Sequence, residues 1–286
     1  MESARNKQIG LHAGGDGVRI TSTDNPNAKL IRKLRDRKFR HASGLFYVEG
    51  LRLVGEAIEL GAAIEFLIFS PELLVSEFGA DLIIRAKASG IPSLEVSADV
   101  FHSISLKEGP QGIGAVARQR WQPMDLTLSA TDDLWIVLNE VADPGNLGTI
   151  LRTSDAVGAK GAILLDNSTD PYDPTAVRAS MGAIFSQNLV RASLDEFAAW
   201  KERTGCKVVG ASGSAEQDYH KAHYPNPLAL MMGSERHGLG PQHLNLCDLV
   251  VRIPMVGRSD SLNLAVAAAV ILYEIFNQRR ENAARG

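Results

Sequence analysis

The tightest constraint on the fold lies in the second half of the chain. Five short, mostly apolar runs (134–138, 162–165, 207–209, 228–232 and 249–253) are separated there by segments of helical length and pattern. A strand with one face in water alternates apolar and polar residues; these runs do not, so both of their faces must be covered. That is the condition of a strand in a parallel sheet lying between helices. Helices are predicted at 147–157, 174–185, 194–203 and 262–279. The first half repeats the rhythm on a smaller scale, with strands at 45–48, 64–69, 93–96 and 111–117 and helices at 51–60 and 73–88. The expected fold class is therefore α/β throughout. A small domain spans 26–118 and a larger parallel-sheet domain 133–286, with a Pro123-containing linker at 119–132. Residues 1–25, rich in Gly, Ser, Thr, Asn and Asp, read as a flexible tail.

Composition narrows the function. At 286 residues, 45% hydrophobic and 22% charged, the chain has the make-up of an ordinary globular protein. Its longest apolar stretch, 262–276, carries Asn263 and Glu274, so it reads as a buried helix and no membrane span is expected. No secretory signal is predicted at the start. Cys206 and Cys247 lie far apart with no ligand cluster around them, which predicts reduced thiols, a cytoplasmic location and no metal. A net charge of −3 argues against a general nucleic-acid coat protein.

Any contact with nucleic acid must then be local, and one segment is suited to it. Lys29, Arg32, Lys33, Arg35, Arg37, Lys38 and Arg40 interleave with Leu30, Ile31, Leu34 and Phe39 at helical spacing. One stripe packs, and the remaining face is cationic, relieved only by Asp36. A phosphate-facing surface and a plain solvated face fit this pattern equally well.

In an open parallel sheet, ligands bind beyond the carboxyl ends of the strands. Three polar, Gly- and Pro-containing segments follow strands there. The first runs Asn139-Glu140-Val141-Ala142-Asp143-Pro144-Gly145-Asn146, continuing to Arg152. Asn146 is suited to cap the next helix, and Arg152 lies under two turns further on; a simple cap and a surface salt-bridge residue are equally consistent with the spacing. The second is Gly233-Ser234-Glu235-Arg236-His237-Gly238-Leu239, where Gly233 would let a ligand approach the backbone. The third runs from Ile253-Pro254-Met255 to Ser261-Leu262-Asn263, with Ser261 a candidate helix cap and Ile253, Met255 and Leu262 offering an apolar slot for a flat ring. A Gly-x-Gly-x-x-Gly fingerprint is missing, which removes a nicotinamide-dependent dehydrogenase.

Together the three segments resemble the three motifs of the SpoU (TrmH) family of RNA ribose methyltransferases in the SPOUT superfamily. The matching positions are Asn139, Asp143, Pro144, Asn146, Gly148, Ile150, Arg152 and Thr153; Gly233, Ser234, Glu235, Gly238 and Leu239; and Ile253, Pro254, Met255, Gly257, Ser261, Leu262 and Asn263. Val177 to Ala183 matches a further common segment. Phe46-x-Val48-Glu49-Gly50 and Pro110-Gln111-Gly112 resemble the family's substrate-binding domain. The resemblance implies a trefoil-knotted catalytic domain, a homodimer, S-adenosylmethionine as methyl donor and 2′-O-methylation of a structured RNA, ribosomal RNA before tRNA. It implies that Asn146 and Arg152 face the substrate ribose and phosphate, and that Glu235, Ser261 and Asn263 organise the same site. Gly233, Ile253, Met255 and Leu262 would border the donor. Arg236-His237 departs from the small or acidic residues frequent at that point, where it bears on which RNA is accepted. The competing readings are a tRNA enzyme, a base methyltransferase of the same superfamily and a non-catalytic ribosome-assembly factor.

Overall fold

A computed structural model describes residues 19–126 and 132–285. The chain divides into two compact units after Gln119.

In the first unit, β1 (Leu45–Glu49), β2 (Ile64–Phe69), β3 (Ser93–Glu95) and β4 (Ile113–Arg118) form one sheet in the order β1-β4-β2-β3. The pair β2–β3 is parallel, and β4 runs antiparallel to both of its neighbours. Helices α1 (Pro26–Lys33), α2 (Arg37–Ser43), α3 (Leu51–Glu59), α4 (Glu77–Ala88) and α5 (Ala98–Ile104) complete the unit. Ile31 and Leu34 join Phe101, Ile104, Phe66 and Val116 in one core cluster, so α1 and α5 share a layer on the sheet. Helix α5 is absent from the sequence reading because seven residues give too few turns for a clear 3.6-residue period. Helix α4 starts four residues later than the apolar pattern suggests. The backbone of Leu73 and Leu74 packs on Gly112 instead, where a Cβ would come within 2.6 Å of the Leu74 amide.

The tail expected over 1–25 lies outside the described residues as far as residue 18. Beyond that, Ile20 is buried and its amide donates to the Glu95 carbonyl at 2.9 Å, so residues near it extend the sheet edge.

The cationic stretch is not one helix. Asp36 accepts a hydrogen bond from the Phe39 amide at 3.1 Å and starts α2 anew, turning the chain between Lys33 and Arg37. This breaks up the expected cationic set. Arg40 is only 1% exposed, and its Nη1 donates to the carbonyls of Leu34 (2.9 Å) and Arg35 (2.8 Å). It holds the end of α1 against α2 and is not part of any phosphate-facing surface. Arg35 bonds the last carbonyls of α5, and Arg32 reaches Ser103 and Thr23. Lys29 pairs with Asp24 at 3.0 Å, while Lys33, Arg37 and Lys38 stay exposed.

The second unit carries a seven-stranded sheet: β5 (Leu134–Asn139), β6 (Gly161–Leu165), β7 (Asn188–Ala192), β8 (Lys207–Ala211), β9 (Gln217–Asp218), β10 (Leu228–Met232) and β11 (Leu249–Arg252). Their order is β7-β6-β5-β10-β8-β11-β9, and every neighbouring pair is parallel. The helices are α6 (Pro144–Ala156), α7 (Pro174–Ser180), α8 (Ala183–Ser186), α9 (Leu194–Thr204), α10 (Pro241–Leu244) and α11 (Leu264–Arg285). As the continuous apolar runs require, both sheet faces are covered. Trp135, Val137, Ile163 and Met231 pack with Phe197 and Trp200 of α9. Ile136 and Leu138 point the other way, where Leu147, Ile150 and Leu151 of α6 and Ala268, Ile271 and Leu272 of α11 are buried. Each large apolar side chain so enclosed contributes about 1.5–3 kcal/mol, which makes the sheet a rigid base for its loops.

Strand β9 and helix α10, of two and four residues, are too short to show a period in the sequence, and two longer features escape its pattern as well. Asn188 and Arg191 interrupt the apolar run of β7. Met181 and Gly182 take left-handed conformations (φ 52° and 109°) and divide the single helix expected over 174–185 into α7 and α8. The first residues of the expected linker are held on the edge strand: Gln122 donates to the Leu189 carbonyl at 2.8 Å, and the Arg191 guanidinium lies 4.2 Å from the Trp121 ring centroid. Residues 127–131 of that linker lie outside the described residues.

Candidate active site

Strand β10 enters the sheet late, beside β5, so the loops after these two strands leave the sheet side by side. Pairing of Met232 with Leu138 fixes that register. The loop after β5 begins with Glu140 in a left-handed conformation (φ 51°), a geometry that costs a non-glycine residue on the order of 1 kcal/mol. It is pinned by Ser168, whose hydroxyl donates to the carbonyls of Leu138 and Leu165 at 3.0 and 2.9 Å, and by the Thr169 amide on the Val141 carbonyl at 2.7 Å.

The start of α6 corrects one expectation. Asp143 is the cap, accepting from the Asn146 amide at 2.7 Å, with Pro144 in the first helical turn. The Asp-Pro pair carried that signal, since Pro suits the first helical position and Asp the one before it. Asn146 is thereby released from capping, and its side chain turns to the loop after β10.

That loop is a tight hairpin. Ser234 and Gly238 exchange backbone hydrogen bonds of 3.2 and 3.0 Å. This fold-back requires Gly233: a Cβ there would lie 2.1 Å from the Gly238 carbonyl carbon. The hairpin delivers Glu235 to the loop after β5. Its carboxylate accepts from the amides of Ala142 (3.1 Å) and Asp143 (3.3 Å) and from Nδ2 of Asn146 (3.3 Å). Partial burial pushes its pKa up, but these bonds, with one from its own amide, outweigh burial and hold it below the ordinary 4.5.

The third segment joins through Asn263, not Ser261. Asn263 Oδ1 accepts from the amides of Ala265 (2.9 Å) and Val266 (3.3 Å), so Asn263 caps α11. Its Nδ2 must then point away from the helix, and it donates to Asn146 Oδ1 at 3.0 Å. This sets the Asn146 amide with its nitrogen toward Glu235. One directed chain, α11 amides to Asn263 to Asn146 to Glu235, links three segments spanning residues 146 to 263.

Other expected residues are not in that chain. Ser261 is exposed and contacts Asp260 at 3.3 Å. Arg152 is exposed further along α6, and its side chain makes no hydrogen bond or ion pair among the described residues. Ile253 is half-buried, while Met255 and Leu262 are 37% and 38% exposed on the stretch between β11 and α11, so they do not enclose a slot within this chain. An open cleft of about 490 Å³ lies over the ends of β5 and β10, lined by Glu140, Ala142, Asp143, Ser234, Glu235, Arg236 and His237. Gly148 serves packing: a Cβ would lie 2.3 Å from the Ala176 carbonyl oxygen, so α6 and α7 cross closely there.

Comparison with known proteins gives a consistent answer. The profile of the SpoU rRNA methylase family matches residues 133–273, and that of the MRM3-like substrate binding domain matches residues 25–115. A 23S rRNA (uridine(2479)-2′-O)-methyltransferase of Streptomyces viridochromogenes is 32% identical over 268 residues, covering 91% of this chain and 92% of the relative. The 23S rRNA (guanosine(2553)-2′-O)-methyltransferase RlmP of Bacillus subtilis is 30% identical over 256 residues, covering 90% and 98%. Among solved structures, the AdoMet-bound rRNA methyltransferase from Sinorhizobium meliloti superimposes with a TM-score of 0.83 at 35% identity, over 91% of this chain and 98% of that one.

Proposed function

Because this chain belongs to the SpoU rRNA methylase family, we propose that it methylates a ribose 2′-hydroxyl of ribosomal RNA, using S-adenosylmethionine as donor. The observation that carries this reading is the chain from Asn263 through Asn146 to Glu235. It fixes the orientation of one amide at the carboxyl end of the sheet, where substrates of such sheets bind.

The residues present fit the donor. Met255 and Leu262 offer uncovered apolar surface suited to a purine ring on the stretch between β11 and α11, and Leu262 adjoins Asn263 of the polar chain. When bound, the donor supplies a sulfonium-activated methyl group. The chain's own part is alignment. A ribose hydroxyl is a weak nucleophile, and holding it in line accounts for much of the acceleration in such reactions. Asn146, locked at both ends, orients the ribose. Glu235 stays anionic at neutral pH because its carboxylate is held by donors, so it holds the loops in place and does not deliver a proton. Arg152 clamps the phosphate next to the acceptor with its forked donors.

Arg37 and Lys38, with Lys33, supply a cationic surface for RNA in the first unit. Helix α11 presents Val266 and Tyr273, 49% and 46% exposed and two turns apart on one face. This apolar stripe supports a homodimer joined through that face. The location that fits this work is the cytoplasm; among the described residues no helix is long and apolar enough to cross a membrane.

The test is methyl transfer from labelled donor to unmodified ribosomal RNA, with the product mapped by alkaline hydrolysis, which 2′-O-methylation blocks. Replacing the target nucleotide by its deoxy form is expected to abolish incorporation. Persistent incorporation would place the methyl group elsewhere and end the proposal.

A further inference from the structure

The site chain accounts for Glu235 and leaves the next two residues of the hairpin unexplained. Arg236 and His237 line the same cleft as Glu235 and are exposed. The hairpin that carries them is stiff: besides the Ser234–Gly238 bonds, the His237 amide donates to Ser234 Oγ at 3.2 Å. Among the described residues neither side chain has a hydrogen bond or ion pair, although three carboxylates line the cleft with them. Two of the three are already engaged. Glu235 is held by Ala142, Asp143 and Asn146, and Asp143 caps α6. A solvated surface arginine ordinarily sits on a mobile stem with many partners in reach. Here a rigid turn places a guanidinium and an imidazole at the cleft, where two of the three carboxylates are engaged with backbone amides and Asn146.

Geometry supplies the partner. If the acceptor ribose sits at the Asn146–Glu235 pair, its flanking phosphates lie one nucleotide bond away. Arg236 is one Cα step, about 3.8 Å, from Glu235 along the hairpin. A planar guanidinium with five donors matches a phosphate's paired oxygens.

We infer that Arg236 and His237 form a contact for the RNA phosphodiester backbone immediately beside the acceptor ribose, with Arg236 the main ligand. This rests on the RNA 2′-O-methylation reading and adds to it a second cation, on the hairpin after β10 where Arg152 is on α6. Two anchors from two elements hold both the position and the direction of the strand, as a single anchor does not.

The experiment compares wild type, Arg236→Ala, Arg236→Lys and His237→Ala on unmodified 23S rRNA transcript. Initial rates give KM for RNA and kcat; filter binding of the same transcript between roughly 50 and 300 mM KCl gives the salt slope; calorimetry gives donor affinity. Arg236→Ala is expected to raise KM for RNA about tenfold, to lower kcat at saturating RNA no more than about twofold and to reduce the salt slope by about 1. Donor affinity and melting temperature stay at the wild-type values, Arg236→Lys keeps the charge and so restores the salt slope but only part of the affinity, and His237→Ala has a smaller effect of the same kind. An Arg236→Ala enzyme with wild-type KM and wild-type salt slope overturns the contact, as does one whose losses lie in donor binding or folding. Should the wild type bind RNA and donor yet transfer no methyl, the methylation reading falls, while the salt slopes still decide whether Arg236 touches phosphate.

Discussion

Replacing Asn263 separates its two duties. Its Oδ1 caps α11 and its Nδ2 holds Asn146. Asn263→Ala removes both. The cap is worth about 1 kcal/mol, which for a protein of this size lowers Tm by roughly 2–4 °C. Asn263→Asp keeps the cap, since a carboxylate accepts from the same amides and gains about 0.3–1 kcal/mol at a helix N-terminus. It has no donor for Asn146 Oδ1. Asn146 then stands between two carboxylates, the introduced one and that of Glu235, with one donor end and one acceptor end. Whichever way the amide turns, one contact sets oxygen against oxygen. Loss of one hydrogen bond costs about 0.5–1.5 kcal/mol, and the repulsion adds to it. The expected result is a fall in kcat/KM of roughly tenfold or more for Asn263→Asp, with the helix-end gain and the lost bond nearly offsetting, so that Tm stays within about 2–4 °C of wild type. Thermal melts and methyl-transfer rates at saturating donor measure the two effects separately. An Asn263→Asp protein that melts like wild type and also turns over like wild type refutes the idea that the three-residue chain organises the site.

Three further outcomes are expected. The Glu235 pKa is lowered on folding, so its contribution to stability is present above the ordinary value of 4.5 and is lost as pH falls through the lower folded value. Urea melts of wild type and Glu235→Gln should therefore diverge at neutral pH and converge in acid. Gly148→Val drives a branched side chain into the Ala176 carbonyl, so overpacking of about 1–3 kcal/mol or more should depress Tm by several degrees. Arg40→Ala strips the donors from two backbone carbonyls and should destabilise the first unit by about 1.5–3 kcal/mol, seen by denaturant titration.

The sheet of the second unit is legible in the sequence because its strands are buried on both faces and read as unbroken apolar runs. Strand β7 is not, since Arg191 reaches out to the Trp121 ring and interrupts the run, and neither is β9, a half-buried pair of residues at the other edge. Motif positions supply the residues of the site but not their bonding. Asn146 reads as a cap because Asn is a good one, yet Asp143 before Pro144 is better placed, and only three-dimensional proximity shows what Asn146 does once freed. Ser261 loses its cap role to Asn263 in the same way, two residues downstream. The cationic stretch shows the opposite error: Arg40 carries the same charge as its neighbours, but it lies under the turn that Asp36 imposes, and burial converts it into a backbone clamp. Linear spacing does not record that turn.

The seating of Trp121 and Gln122 on β7 has a practical corollary. An uncovered outer strand of a parallel sheet is a template onto which other chains can add. In this protein the segment leading into the catalytic unit occupies part of that border, through the Leu189 carbonyl and the Arg191–Trp121 stack. A truncation that begins at Arg120 carries its own guard against self-assembly. One that begins just past Gln122 discards it, and should precipitate at concentrations where the longer fragment stays dispersed.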